Sequence, residues 1–260
     1  MSQPQPKSID EYKQWLEKEH SLKITDQTQN YYNSVINAIK VDFEKSEFWT
    51  KLTKNLMDYN DSYAIKTGYP LLAQTELVLD TKSFVSFLDK TFRRNITHNR
   101  NWPKPPVEGW LLENNWFEES NDLVRTLIVV KYLDGVEFIL KKLKSICDEC
   151  VLEHDEKLEA RDDGYYAAHF YHIQEFEIPT KTWETRKIPI KIEVQVTTQL
   201  QEVIRKLLHH YYERTRTTIM FRDPSWKWDY QSNEFSASYL GHILHYIEGL
   251  IVQTRERERK

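Results

Sequence analysis

At 260 residues, with 40% hydrophobic and 13% aromatic side chains, the chain can bury a sizeable core, which excludes wholesale disorder. No apolar run reaches the roughly 20 residues of a membrane helix, and MSQPQPKSIDEYKQW has no secretory apolar region, so a cytosolic protein without a membrane partner is expected. The net charge of −4 excludes a general polycation, so nucleic acid could be held only by a local basic patch.

In chain order, residues 8–18 and 29–60 read as helices rich in Tyr, Trp and Phe, with no Gly or Pro inside. Asp80 to Arg94 reads as a third helix, with Phe84, Phe87, Leu88 and Phe92 on one stripe. Asn99 to Gly109 holds three prolines and is a loop. Leu123 to Leu133 is a β-branched apolar run, expected as a buried strand, followed by a helix from Gly135 to Ile146. Tyr165 to Ile178 reads as a strand. Ile188 to Val196 alternates strictly, with Lys191, Glu193, Gln195 and Thr197 on the polar side. Leu200 to Tyr212 is an amphipathic helix, and residues 238–255 form a last helix after a Trp-rich loop. Strands mixed with helices predict an α+β domain with a mixed sheet. The expected organisation is a helical extension over 1–75, a core over 76–216, and an aromatic loop and helix over 217–260 packed on that core.

Four segments carry candidate chemistry. Read as helical, Lys82, Ser86, Lys90 and Arg93 share one face, and a cationic stripe with hydroxyls suits a polyphosphate. Alone, a solvated basic face is the plainer reading. Asp122 stands at the start of the apolar strand, placed to hold Mg²⁺, although a carboxylate there is equally a cap. In Gly164-Tyr165-Tyr166-Ala167-Ala168-His169, Tyr165 and His169 fall on one face, and the ring could stack on a base; an aromatic core strand is the alternative. Glu193, on the polar side of its strand, could bind metal or accept a hydroxyl proton. Arg205, His209 and Tyr212 form a polar stripe on the helix that follows.

The order K-S-x-x-S-x-x-x-K-x-x-R-R, then Asp122, then G-Y-x-x-x-H, then E-V-Q-V-x-T, then His209 resembles the RelA/SpoT alarmone synthetase domain over roughly Thr81 to Glu213. The resemblance implies a nucleotidyltransferase-like mixed sheet, ATP as pyrophosphate donor and Mg²⁺ as cofactor. Carried over by position, it implies that Lys82, Ser86, Lys90, Arg93 and Arg94 hold ATP. Asp122 would bind Mg²⁺, with Glu193 as second acidic ligand or base. Tyr165 would stack on the acceptor base, supported by His169 and His209.

Three positions depart from the family pattern: Asp80 stands where Arg is usual, Arg125-Thr replaces the G-x-R of D-x-x-G-x-R, and Thr197 replaces the Arg of E-x-Q-x-R-T. Loss of these cations argues against a free guanine nucleotide and places Arg125 among the acceptor contacts. The D-x-x-R-T, GYYAAHFY and VTTQLQEVIRKLLHHYYE stretches are similar to the toxic small alarmone synthetases. That resemblance implies the tRNA 3′-CCA end as acceptor and a protein antitoxin as partner. The alternatives are synthesis of a free guanosine or adenosine alarmone, and a binding module that has lost catalysis. The lone Cys147/Cys150 pair, the His154-Asp155 dipeptide and the His242/His245/Glu248 group are expected to be structural.

Overall fold

The structure, a computed structural model, describes residues 4–181, 184–216 and 224–259; the side chains of residues 208–216 and 224 lie outside that description. The fold is α+β, with a mixed five-stranded sheet. Its strands are β1 (Leu79–Thr81), β2 (Val124–Val130), β3 (His154–Ala160), β4 (Tyr166–Pro179) and β5 (Thr185–Thr198), in the order β1-β2-β5-β4-β3. β2 runs parallel to β5 and β3 antiparallel to β4. The helices are α1 (Ile9–His20), α2 (Asp26–Glu44), α3 (Glu47–Thr67), α4 (Phe84–Phe92), α5 (Leu133–Glu149), α6 (Gln199–Arg216) and α7 (Asn233–Glu258). Among the described residues no helix is long and apolar enough to cross a membrane.

The chain divides into two compact units, and β4 and β5 each contribute residues to both. The first comprises Met1–Glu44, Asp80–Val124 and Ile173–Ile192. Its core is aromatic. Tyr32 stacks on Phe87 at 4.7 Å between ring centroids, Phe87 meets Trp116 edge-on at 5.3 Å, and Tyr12 lies 5.3 Å from Phe92. These rings join α1, α2 and α4 through the area they bury and their offset and edge-on geometry.

The second unit comprises Lys45–Leu79, Arg125–His172 and Glu193–Lys260. Here α3 packs on α5, and α7 packs on both α5 and α6. Leu52, Leu56, Ile139, Leu143, Val194, Val196 and Phe170 are all buried. Arg255 of α7 lies over the rings of Tyr69 (4.3 Å) and Tyr132 (4.1 Å) and reaches Asp134 at 3.4 Å, fastening the end of the last helix.

Three local departures from the sequence reading have simple causes. The helix expected over 29–60 is two helices. Ser46 adopts an extended backbone and its hydroxyl accepts from the Trp49 amide at 3.1 Å, so it caps α3 and ends the run. The helix expected from Asp80 begins only at Phe84, capped by Ser83, because Leu79–Thr81 is drawn into the sheet as β1. β3 escaped notice because HDEKLEA is polar and almost wholly exposed, so it shows no alternation.

Candidate active site

In the first unit the ATP-stripe residues separate. Lys82 is not on the helix. It sits just before the Ser83 cap, with its amide donating to Leu123 O at 2.9 Å and its carbonyl accepting from the Tyr32 hydroxyl at 3.0 Å. Its ammonium nevertheless meets Lys90, one turn and a half into α4, on a shared partner. Lys82 Nζ lies 2.6 Å from Asp122 Oδ2 and Lys90 Nζ 2.6 Å from Asp122 Oδ1. Burial pushes the Asp122 carboxyl up, but the two ammoniums outweigh it and hold its pKa down at about 2. Asp122 is thus a fixed anion between two cations.

The other three residues point to separate partners. Ser86 is exposed and accepts a hydrogen bond from the Ser83 hydroxyl at 3.0 Å. Arg93 pairs with Asp89 at 3.0 Å, one turn back. Arg94 binds Glu119 through its carbonyl (3.1 Å) and carboxylate (3.2 Å), and also reaches Glu108 O at 3.4 Å.

As a Mg²⁺ ligand Asp122 fits by donor type: it is a hard oxygen, ionised throughout the physiological range and partly exposed. Among the described residues no group of three or more His, Cys, Asp or Glu gathers as a metal site.

In the second unit Tyr165, His169 and Glu193 form one hydrogen-bonded chain. β4 and β5 set it up: residues of one parity on each strand share a face. His169 Nδ1 lies 2.5 Å from Glu193 Oε1, and a carboxylate can only accept, so Nδ1 carries the proton. His169 Nε2 lies 3.3 Å from the Tyr165 hydroxyl. The same hydroxyl oxygen accepts from Gln195 Nε2 at 2.5 Å. Burial, helped by the Glu159 and Glu193 carboxylates and opposed by Arg161 and Arg205, raises the Tyr165 phenol to about 12, so it remains a neutral donor. Glu193, expected on an open polar face, is only 4% exposed.

Glu159, Arg161 and Gln195 belong to this cluster and were not singled out from sequence. Glu159 Oε2 lies 3.5 Å from His169 Nε2 and pairs with Arg161; Arg161 in turn rests its guanidinium 4.7 Å from the centre of the Tyr165 ring. Gln195 shares the parity of Glu193, which was the available signal. Glu159 and Arg161 lie within a charged run that reads as solvated. Arg125 is exposed on β2, in register with Glu193. Thr197 is buried, and its hydroxyl donates to Tyr166 O at 3.3 Å. His209 lies outside the described side chains, as do Arg214 and Arg216.

Outside this cluster, Cys147 is buried and burial lifts its thiol to about 12, while Cys150 is half-buried at the end of α5; both are free. His154 and Asp155 open the exposed edge of β3.

No protein-family model matches the chain, and a search of curated proteins finds no match. Solved structures do match. The small alarmone synthetase 1 of Bacillus subtilis bound to its product pppGpp aligns with 15% identity over 85% of this chain and 94% of its own, with a TM-score of 0.47. A GTP pyrophosphokinase family protein from Streptococcus pneumoniae aligns with 14% identity over 90% of this chain and 97% of its own, with a TM-score of 0.51. On that second likeness, the chain has the fold of a GTP pyrophosphokinase family protein, an α+β mixed sheet flanked by helices.

Proposed function

We infer that the chain is a pyrophosphokinase that transfers the β,γ-pyrophosphate of ATP to the ribose 3′-hydroxyl of a tRNA 3′-CCA end, and so acts as a translation-blocking toxin held in check by a protein antitoxin. The observation that carries the chemistry is the Tyr165–His169–Glu193 chain: a buried carboxylate, oriented by an imidazole, beside an aromatic ring. In the reaction the 3′-oxygen forms a bond to the β-phosphorus, the bond from that phosphorus to the α,β-bridging oxygen breaks, and AMP leaves. Glu193 takes the hydroxyl proton, and His169 holds its carboxylate in place. Tyr165 offers its ring to the acceptor base. Lys82 and Lys90 neutralise polyphosphate oxygens, which is most of what phosphoryl-type transfer asks of a protein. Mg²⁺ bound with ATP would add charge neutralisation on the polyphosphate, with Asp122 as a carboxylate ligand.

The tRNA assignment rests on Thr197. A buried threonine bonded to Tyr166 O supplies no cation where the family pattern has an arginine for a free nucleotide's phosphates. A tRNA carries its charge along a backbone, and Arg100 and Lys104 are exposed cations in the Pro-rich loop. The test supplies γ-labelled ATP with deacylated tRNA and, separately, with GDP at matched concentration. Label in tRNA that falls steeply with added salt is expected. Label in GDP instead would make the chain a free-alarmone synthetase, and no transfer to either would make it a binding module.

A further inference from the structure

The face of the sheet opposite Tyr165 and His169 is not solid. In the second unit a cavity of about 490 Å³ opens between α5, α7 and the strands, walled by Leu133, Val136, Leu140, Leu158, Ala168 and Val196. Along β4, Tyr165 and His169 alternate with Tyr166 and Ala168, which line the cavity; Ala167, Thr197 and Glu159, the last beside His169, line it as well.

One feature of this apolar space is chemically out of place. Glu248 of α7 lines it and is 3% exposed, yet neither carboxylate oxygen receives a hydrogen bond. The nearest basic group is His245 Nδ1 at 3.9 Å, itself without a hydrogen bond, on a ring stacked on Tyr166 with 3.7 Å between centroids. Thr198 and Gln201 come close enough to lower the Glu248 pKa, but burial dominates and raises it to about 6. At the rim Glu137 is paired with Lys141 (2.6 Å) and Lys144 with Glu156 (2.8 Å), so neither lysine pairs with Glu248. A buried acceptor without a donor costs free energy that a ligand's N–H groups would recover.

We propose that this cavity is a second ligand site, for a compact apolar or aromatic molecule carrying an amidinium or ammonium group that donates to Glu248. The volume matches small-molecule pockets, which pair apolar walls with a few oriented polar groups. A single buried carboxylate selects a cationic donor over a neutral or anionic one.

Benzamidine is a direct probe, with benzyl alcohol as a neutral aromatic control of similar size. Calorimetry at pH 7.5 on the full chain should show benzamidine binding at least about tenfold more tightly than benzyl alcohol, and Glu248→Gln should remove that preference. Should Glu248→Gln fail to fold, a wild-type crystal soaked in benzamidine decides alone: the amidinium is expected within about 3.2 Å of the Glu248 carboxylate. Equal binding of the two probes, retention of the preference in Glu248→Gln, or a soaked cavity holding only water on Glu248 would each overturn the proposal.

Discussion

His169 donates a 2.5 Å hydrogen bond from Nδ1 to Glu193, and the partner that orients the carboxylate also ties it to Tyr165. Removing the charge with Glu193→Gln should lower turnover by about 10²-fold or more, measured as label transferred from ATP. His169→Ala should lower it by a smaller factor, since the carboxylate remains but loses its fixed direction. Equal thermal unfolding temperatures would show that both losses are chemical. Near-wild-type turnover in both variants would remove Glu193 from the mechanism.

The Lys82–Asp122–Lys90 group predicts a pH-dependent stability. The Asp122 pKa is about 2 in the folded protein, below the ordinary carboxylate value, so its stabilising effect is present above about pH 4 and is lost as pH falls towards 2. Lys90→Met should cost about 1–3 kcal/mol at pH 6 and progressively less towards pH 2. Denaturant unfolding of both proteins across that range checks it. A difference independent of pH would mean that lost packing, not the ion pair, is being measured.

Glu248 has the opposite sign. Its folded pKa is raised to about 6, so ionisation penalises the fold as pH rises through that value. Glu248→Gln should be more stable than wild type by up to about 2 kcal/mol at pH 7.5, with no such gain below about pH 4. Urea unfolding at the two pH values is sufficient. A less stable variant at pH 7.5 would show that the carboxylate is well satisfied.

Two glycines on α7 should respond in opposite directions to the same change. A Cβ on Gly241 would come 2.3 Å from Gly164 O, so Gly241→Ala must displace the helix from the turn that precedes Tyr165. It should lower both stability and turnover. Gly249 has open space around its missing Cβ, and Gly249→Ala should stabilise α7 by about 0.5–1 kcal/mol. Melting temperatures and label transfer separate the two.

Strong periodicity made the architecture legible. β5 announced itself because Ile188, Ile190, Ile192, Val194 and Val196 are all buried at a period of two. The shared face of Tyr165 and His169 followed from the same parity rule. Elements held by long-range pairing were not legible. β1 is three residues long, and β3 has no apolar pattern, so only their partners in the sheet make them strands. Lys82 illustrates the same limit in the site. Its expected helical spacing to Lys90 was incorrect, yet both ammoniums reach one carboxylate 32 or more residues further along the chain. Glu159 and Arg161 were hidden because a charged run gives no sign of which members fold inward. The Glu248 cavity was invisible because apolar periodicity reports which residues are buried, not whether the space among them is filled.

The close approach of Gly164 and Gly241 bears on strand registration. Backbone packed on backbone fixes Gly164, and through it the starting point of β4, to within the tolerance of a van der Waals contact. A slip of β4 by one residue would exchange its two sides, presenting Tyr166 and Ala168 where Tyr165 and His169 now stand. The two glycines therefore act as an index mark, set by α7. Nascent chains that have not yet extruded α7 lack that mark, so Tyr165 and His169 should settle into their places only after α7 has emerged.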